Sequence, residues 1–402
     1  MRSTQRERVV VLGGGYAGTM AALRVAGRGR GRIEVTLIDP KDSFVQRLRL
    51  HQVASGQEIA SPLYSKLLGR KVEFIQASAQ EIDLDAGVVK LAFGGQQSVG
   101  FDRMNYTVGS GVELSAVPGV AEYAYSVNDV ASARRLSHAL AHAAEASRVS
   151  VVGAGLTGIE VASEIAGKYP HLRVTLISSG SVGGWMRLRG RAYLLEALKR
   201  LGVEIVQGNR VRSFGPDSAE LSDGASVPAA IGVWCGGFRA SPLGRASGLQ
   251  CDDSDRVLVD RKMRSTSHPN ILAAGDGALT PAFVAGEPLR MCCQVAGPSG
   301  LHAADVVVAE TKGRIPKDLH FGYFAQPISL GRHDGLIQFL DRDDRPKESV
   351  LTGRRAAWLK EVGSSAALTG FKMERLLPGS AKYPFKEPKS VALLEANSPA
   401  ND

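Results

Sequence analysis

Two stretches of this 402-residue chain repeat one pattern of strand, glycine turn and helix, and this repeat constrains the fold more than any other feature. Residues 8–18 are RVVVLGGGYAG, and residues 148–158 are RVSVVGAGLTG. Each is followed by a second β-branched segment, IEVTLID at 33–39 and LRVTLIS at 172–178. Because a strand–helix–strand unit joins parallel strands, the repeat predicts two parallel sheets in an α/β protein.

The first glycine turn has the spacing of a dinucleotide-binding site, G-x-G-x-x-G, at Gly13, Gly15 and Gly18. In such a turn the first glycine permits the tight bend, and the second lets the backbone approach a pyrophosphate. The third lets the helix pack closely on the strand. The pyrophosphate lies over the helix N-terminus, so we expect Tyr16 and Ala17 to contribute to cofactor binding.

Two acidic residues at strand ends assign this first turn to FAD. Asp39 ends the second strand, about 20 residues after Gly18, where a carboxylate can accept hydrogen bonds from a ribose hydroxyl. The segment AAGD at 273–276 follows the apolar strand NIL and contains Gly275 and Asp276. In FAD folds with this topology, such an aspartate hydrogen-bonds the ribityl or pyrophosphate region. The two signals together therefore predict FAD at the N-terminal turn.

The second turn repeats the fingerprint at Gly153, Gly155 and Gly158. The residue aligned with Asp39 is Ser178, which cannot repel a 2′-phosphate as a carboxylate would. Arg187 begins the basic segment 187–191, which could neutralise that phosphate. This favours NADPH over NADH as the nicotinamide cofactor. Two alternatives stay open: these arginines coat a helix surface, or the second site has degenerated and binds no nicotinamide.

The order of the motifs predicts an FAD domain in two pieces with a nicotinamide domain inserted between them. We place the FAD-binding domain at 1–112 and 239–312, the NAD(P)H-binding domain at 113–238, and a small α+β C-terminal region at 313–402. The predicted fold class is therefore α/β with two Rossmann-like domains. The segment 353–376 either forms a basic amphipathic surface helix or a soluble helix packed on the protein. Its relevant residues are Arg354, Arg355, Trp358, Lys360, Phe371 and Lys372.

Taken in order, these motifs resemble the type II NADH dehydrogenases and their relatives among the flavoproteins with two dinucleotide-binding domains. The resemblance rests on GGGYAG, VVGAGLTGIEVASEIA and AAGDGA, together with HQVASG, VWCGG, CQVAGPSG and SLGRHDG, and covers most of residues 8–335. It implies that a reduced nicotinamide passes a hydride to FAD, and that the flavin then reduces an acceptor, often a quinone.

The resemblance also implies roles for individual residues. Glu160 matches the family's acid at the nicotinamide pocket, and Gln294 and Ala296 match the start of its Ala-Gln-x-Ala-x-Gln segment beside the flavin, with Val295 between them. This chain departs from that segment, because Cys293 takes its first position and Pro298 replaces its second glutamine. The departure puts quinone as the acceptor in doubt. His51, in RLRLHQVASG, lies near Arg47 and Arg49 in the sequence and is a candidate for binding an acidic substrate or donating a proton near the flavin, with a structural histidine as the alternative.

Composition narrows the remaining functions and partners. Four cysteines exclude a disulfide scaffold and fit a reducing cytoplasm, and the adjacent pair Cys292–Cys293 argues against thiol–disulfide chemistry. No spacing of histidines or cysteines predicts a metal site. No apolar run reaches the roughly 20 residues that span a bilayer, and the N-terminus does not resemble a signal peptide. Aromatic residues make up only 6%, without basic–aromatic tracts, so we expect no nucleic-acid partner.

Three functional hypotheses follow. The first is an FAD-dependent NAD(P)H:acceptor oxidoreductase, which acts on a small-molecule electron acceptor. The second is a flavin oxidase or tailoring enzyme with oxygen as acceptor, motivated by Ser178 and Pro298. The third is a non-enzymatic, redox-sensing flavoprotein. We expect a cytoplasmic monomer or homodimer, with weak peripheral contact to the inner face of the membrane as an option.

Overall fold

The fold is described here from a computed structural model that covers residues 6–92, 97–281 and 287–383. The described part of the first 112 residues contains eight strands and three helices, with a 3₁₀ turn at Arg47–Arg49. They are β1 (Glu7–Leu12), α1 (Tyr16–Arg28), β2 (Ile33–Asp39), α2 (Leu50–Ala54), α3 (Tyr64–Leu67), β3 (Glu73–Gln76), β4 (Ser78–Asp83), β5 (Val88–Ala92), β6 (Ser98–Gly100), β7 (Arg103–Tyr106) and β8 (Ser110–Val112).

The middle of the chain repeats the succession of strand, helix and strand. Its elements are α4 (Val120–Tyr123), β9 (Ala124–Tyr125), α5 (Val130–Ala141), β10 (Arg148–Val152), α6 (Leu156–Lys168), β11 (Arg173–Ser178), α7 (Leu188–Arg200), β12 (Glu204–Gln207), β13 (Val211–Phe214), β14 (Ser218–Leu221), β15 (Ser226–Pro228), β16 (Ile231–Trp234) and β17 (Phe238–Ala240).

The remaining described elements supply the end of the first sheet and a C-terminal unit. They are α8 (Leu243–Ala246), β18 (Val257–Leu258), β19 (Ile271–Ala273), a 3₁₀ turn at Gly275–Gly277, β20 (Ala278–Leu279), α9 (Cys293–Thr311), β21 (Ala325–Ser329), β22 (Gly335–Leu340), β23 (Pro346–Thr352) and α10 (Gly353–Leu376).

Each glycine turn follows the central strand of a parallel sheet. The first sheet has the order β19-β7-β1-β2-β3, and the second has the order β12-β11-β10-β16-β9; every pairing in both is parallel. Because β1 and β10 are covered on both faces, their apolar runs are almost wholly buried. The predicted fold class, with two Rossmann-like units, is confirmed.

The first sheet is completed by a strand from far along the chain, because β19 pairs with β7. The chain therefore leaves the first unit, forms the second and returns. The short strands β8 and β17 pair with each other where the chain crosses between the units. Small antiparallel sheets accompany each unit, β4-β5-β6 in the first and β13-β14-β15 in the second. The domain boundaries at 112, 238 and 312 stay predictions.

The C-terminal unit is an antiparallel sheet, β21-β22-β23, followed by the 24-residue helix α10, which packs on α1 and on β22. Lys360 and Phe371 are buried on α10, so these two residues do not belong to a basic surface as one of the two predictions had it. Trp358, by contrast, is 68% exposed. Within the described residues, no helix is long and apolar enough to cross a membrane.

Candidate active site

The first glycine turn has the geometry that its spacing predicts. Gly13 adopts a φ of 98°, which L side chains rarely allow, and its N–H donates to the carbonyl of Ile38 at 2.8 Å. A Cβ on Gly18 would overlap the carbonyl oxygen of Gly13, so the third glycine is required for the helix to pack. A Cβ on Gly15 would meet nothing within 4 Å. The space above Gly15 is therefore free for a pyrophosphate.

Asp39 holds this turn in place from the end of β2. Its Oδ2 accepts from the Gly14 N–H at 2.7 Å, and its Oδ1 accepts from the Lys41 N–H at 2.9 Å. The hydroxyl of Tyr64 donates to the carbonyl of Gly14 at 2.6 Å and supports the other side of the turn. No motif or periodic pattern marks Tyr64, which lies between β2 and β3.

The distal AAGD segment lies against the same turn. A Cβ on Gly275 would lie 3.1 Å from Cβ of Ala17, so the 3₁₀ turn and the start of α1 are in close contact. The Gly275 N–H donates to Oγ of Ser299 at 3.0 Å. Asp276 accepts from Oγ of Ser110 at 2.6 Å. The structure thus brings Ala17 and Gly275, 258 positions apart in the sequence, together at one end of the first sheet.

The N-terminus of α9 begins beside this turn. Cys292 is the N-cap and Cys293 the first helical residue, and burial raises the pKa of both thiols, which keeps them protonated. Gln294 is half-buried, and no other described residue hydrogen-bonds its side chain, whereas Val295 and Ala296 are buried. Pro298 lies inside the helix and lacks the N–H that would bond the Gln294 carbonyl, so that carbonyl is free of the usual helical bond.

The second glycine turn reproduces the first. Gly153 has a φ of 104°, and its N–H donates to the carbonyl of Ile177 at 2.8 Å. A Cβ on Gly158 would overlap the carbonyl oxygen of Gly153, and a Cβ on Gly155 would meet nothing within 4 Å. Ser178 ends β11, and its Oγ accepts from the Gly180 N–H at 3.3 Å. This turn also leaves space for a pyrophosphate.

Arg187 contacts the C-terminal sheet. Its Nε donates to the carbonyl of Pro346 at 3.0 Å and lies 3.3 Å from Oε1 of Glu348. Arg191 donates to the carbonyl of Val182 at 3.1 Å. Arg187 and Arg191, both in the basic segment predicted to serve a 2′-phosphate, are therefore engaged with other groups.

Glu160 projects from α6 into a buried cluster where α2, α6 and α10 meet. Lys360 forms an ion pair with its Oε1, and the N–H of Ser329 donates to the same oxygen at 3.1 Å. Lys360 also donates to Oγ of Ser329 at 2.8 Å. Nδ1 of His51 lies 3.5 Å from Oε2 of Glu160. The structure thus joins two predicted catalytic residues, Glu160 and His51, with a lysine that the sequence had suggested for the surface.

Electrostatics fix the protonation states of this cluster. Burial opposes ionisation of Glu160, but the charge of Lys360 and the hydrogen bonds from Lys360 and from the N–H of Ser329 outweigh it, and the pKa of Glu160 lies below its ordinary value. Burial lowers the pKa of His51 from 6.5 to about 4, more than the neighbouring Glu160 raises it. At neutral pH Glu160 is therefore a carboxylate and His51 a neutral imidazole.

Several buried polar atoms around residues 16 and 49–52 lack a hydrogen-bond partner within the described chain. They are the hydroxyl of Tyr16, Nε of Arg49, Nε2 of His51 and Oε1 of Gln52. Leaving such a group unpaired costs about 1–3 kcal/mol, so each of these atoms is open to a hydrogen bond from a ligand or from water. Their position between the start of α1 and α2 fits a flavin or its acceptor. The described residues contain no group of side chains arranged to hold a metal ion.

The chain matches one family model over most of its length and is similar to proteins named as oxidoreductases. Residues 7–300 match the pyridine nucleotide-disulphide oxidoreductase family. An NADH dehydrogenase-like protein of Mycobacterium tuberculosis is 33% identical over 347 residues, covering 81% of this chain and 86% of that protein. A type II NADH:quinone oxidoreductase of Staphylococcus aureus is 26% identical over 403 residues, covering 90% and 95%.

Two solved structures share the fold at low sequence identity. NDH2 from Plasmodium falciparum, in complex with NADH, has a TM-score of 0.77 at 16% identity, covering 94% of this chain and 99% of that chain. Sulfide:quinone oxidoreductase from Aquifex aeolicus has a TM-score of 0.75 at 18% identity, covering 95% and 99%.

These comparisons test the resemblance that the motifs suggested. The predictions of an oxidoreductase, and of FAD with a nicotinamide as its cofactors, are confirmed at the level of the family. The roles of the individual site residues stay predictions. With its two glycine turns and its family match, the chain belongs to the pyridine nucleotide-disulphide oxidoreductases, as an NADH dehydrogenase-like enzyme.

Proposed function

We propose that this enzyme transfers electrons from NADH, bound at Gly153–Gly158, through FAD, bound at Gly13–Gly18, to a quinone or a similar small organic acceptor. The observation that carries the proposal is the pair of matching turns, each with open space above its middle glycine. FAD supplies the chemistry, because it accepts a hydride and can release electrons to an acceptor. NADPH as the donor stays a prediction that rests on Ser178.

The chain's own groups would stabilise charge at the flavin. The N-terminus of α9 carries the partial positive charge of its unpaired amides, which favours negative charge near Cys293 and Gln294. Asp276 and Gly275 would hold the cofactor from the opposite side of the turn, where Ser110 orients the carboxylate. These residues bind and orient the cofactor; they do not react.

Neutral polar side chains on α2 and α9 could bind a quinone. The buried His51 is neutral, and Gln52 and Gln294 offer amide groups without charge. Such groups can hydrogen-bond the carbonyl oxygens of a quinone. The replacement at Pro298 removes one glutamine that the resemblance would place there, so we expect a loosely specific acceptor site.

Anaerobic reduction of the holoenzyme tests the function. Mixing with NADH should bleach the flavin absorbance within one turnover, and a subsequent pulse of a soluble quinone should restore it. Gly155→Val should bind flavin normally but bleach slowly, because a side chain there fills the nicotinamide space. Flavin that stays oxidised with both nicotinamides would refute the proposal. Fast recovery with oxygen and peroxide release, but not with quinone, would instead support the flavin oxidase.

We also propose a weak peripheral contact with a membrane, made by the outer face of α10. Its exposed large apolar side chains lie within an arc of about 100° around the helix axis, opposite the buried Lys360 and Phe371. They are Trp358, Leu359, Val362, Met373, Leu376 and the adjoining Leu377. A quinone acceptor that dissolves in lipid would be reached from this face.

Vesicle sedimentation tests this contact. The double variant Trp358→Glu/Leu376→Glu should lose most of its binding to vesicles of neutral phospholipid. Leu188→Glu, at a residue on α7 that is 84% exposed, serves as the matched control and should bind as the wild type does. Equal binding by all three proteins would refute the contact.

A further inference from the structure

A basic cavity of about 610 Å³ lies where α1 and α9 end, and the function proposed above makes no use of it. Five cationic residues line it, together with Pro378 from the segment after α10. They are Arg28, Arg30, Lys312, Arg314 and Lys382. A Cβ on Gly27 would come within 2.5 Å of Pro378, so the floor of the cavity is closely packed.

The cavity is separate from both cofactor turns. The glycine turn lies at the N-terminus of α1, and the cavity lies at its C-terminus, 13 residues later. A helix of that length spans about 20 Å. The cavity therefore opens at the end of the first sheet opposite to the proposed FAD site, and no cofactor in that turn reaches it.

Part of this charge has a structural role. Lys312 donates to the carbonyl of Arg28 at 2.7 Å and so caps the C-terminus of α1. Arg28 lies 3.3 Å from Asp305, whose carboxylate also pairs with Arg24. Two of the five cations thus have partners that folding alone explains.

The other three cations have no such explanation. The side chains of Arg30, Arg314 and Lys382 are exposed and pair with no carboxylate among the described residues. Arg30 adopts a φ of 51°, a left-handed conformation that costs an arginine roughly 1 kcal/mol. The nearby Glu374 is already taken up by Arg24 and by the N–H groups of Gly379 and Ala381. No described carboxylate therefore balances the charge of these three cations.

Repulsion among the cations of the cavity contributes to the pKa of Lys312. Burial and then the neighbours Arg28, Arg30, Arg314 and Arg32 lower its pKa below the ordinary value for lysine. An anion in the cavity would relieve this repulsion. A planar guanidinium suits a phosphate group in particular, because its N–H groups match the spacing of the phosphate oxygens.

We propose that this cavity binds the phosphate group of an anionic ligand, and that the ligand is the headgroup of an anionic membrane phospholipid, one whose phosphate charge no headgroup cation balances. Exposed apolar residues adjoin the cavity along the chain: Ile315, 92% exposed, follows Arg314, and Leu376 and Leu377, 68% and 60% exposed, precede Pro378. Phosphate-binding cations beside exposed apolar side chains match the boundary between lipid headgroups and acyl chains. Only the choice of lipid as the source rests on the proposed membrane contact of α10.

Sedimentation of the holoenzyme with vesicles at about 0.1 M salt tests the proposal. Arg30→Ala/Arg314→Ala should reduce binding to vesicles that contain phosphatidylglycerol by about fivefold per arginine removed. Its binding to phosphatidylcholine vesicles should be unchanged. The control Arg134→Ala/Arg212→Ala removes the same charge from exposed positions of the second unit and should bind within twofold of the wild type. Lys382→Ala is a second variant should the double variant fold poorly.

The outcomes separate the two proposals. If the arginine double variant loses binding to anionic vesicles and its control does not, the cavity is supported. This holds even if Trp358→Glu/Leu376→Glu still binds neutral vesicles, a result that would refute only the α10 contact. Inorganic pyrophosphate should displace the wild type from anionic vesicles. Vesicle binding that is unchanged in the arginine variant, or reduced equally in the variant and its control, would overturn the lipid as the ligand. If inorganic pyrophosphate also binds the variant as tightly as it binds the wild type, the cavity is not a phosphate site.

Discussion

The two glycine turns share a backbone and differ in where their acids lie. Both have a first glycine with positive φ and a third glycine that touches the first. In each unit the residue after the neighbouring strand also bonds to the end of the central strand. The Thr107 N–H donates to the carbonyl of Leu12, and the Cys235 N–H donates to the carbonyl of Val152, both at 2.8 Å. In the first turn the acid is Asp39, which bonds the turn itself. In the second turn Ser178 replaces it.

The helices that follow the turns differ in a complementary way. Glu160 and Glu164 of α6 occupy the positions that Met20 and Arg24 occupy in α1, counted from the glycines. Burial raises the pKa of Glu164, whereas Lys360 lowers that of Glu160. The comparison teaches that the repeated backbone specifies nucleotide binding, and that side chains outside the motif give each turn its own chemistry.

The largest expected effect comes from replacing the third glycine of each turn, which should impair a different cofactor in each case. Gly18→Ala forces its Cβ onto the carbonyl oxygen of Gly13 and should cost on the order of 3 kcal/mol or more, with loss of bound flavin. Gly158→Ala makes the same overlap with Gly153 but should leave the protein yellow and unable to be reduced by NADH. Flavin content and reduction rate measure this. A colourless Gly158→Ala protein would contradict the assignment of the second turn to the nicotinamide.

The next effect tests the acid on α6. Glu160→Gln leaves the buried Lys360 without its carboxylate and should destabilise the protein by about 3–5 kcal/mol in chemical denaturation. Adding Lys360→Met should recover part of that loss. At the corresponding position of α1, Met20→Leu should cost less than about 1.5 kcal/mol. Similar losses at both positions would show that the helices do not differ as described.

A pH titration of stability tests the neutral state of His51. The unfolded chain binds a proton at His51 below pH 6.5, whereas the folded chain resists it until about pH 4. The free energy of unfolding should therefore fall as the pH drops from 6.5 to 4, by up to about 3 kcal/mol. His51→Gln should flatten this part of the curve. The contribution of Glu160, whose pKa is lowered, is lost only below its unfolded value of 4.5.

The smallest effect concerns the choice of nicotinamide. Ser178→Asp places in the second turn the acid that the first turn has, and should lower kcat/KM for NADPH about tenfold relative to NADH. The cause is repulsion of the 2′-phosphate, so the rate of flavin reduction by NADH serves as the internal control. An unchanged ratio would show that Ser178 does not face the ribose.

The sequence predicts those parts of the molecule that depend on local backbone geometry. The glycine spacing identified both turns, and the AAGD segment identified the return of the chain, because each requires a particular residue at a particular place. It could not identify partners set by packing between distant elements. Lys360 looked like one of several surface cations, and only the docking of α10 places it on Glu160. Tyr64 and Ser110 were missed for the same reason, since neither lies in a periodic or spaced pattern.

Helix α10 forms a buried ion pair with each nucleotide-binding unit, Glu374 with Arg24 of α1 and Lys360 with Glu160 of α6. The two anchoring residues are about 21 Å apart along the helix axis. A rotation of one unit against the other would have to pull a charge away from its partner inside the protein. We therefore expect α10 to couple the two units, so that they unfold in a single thermal transition.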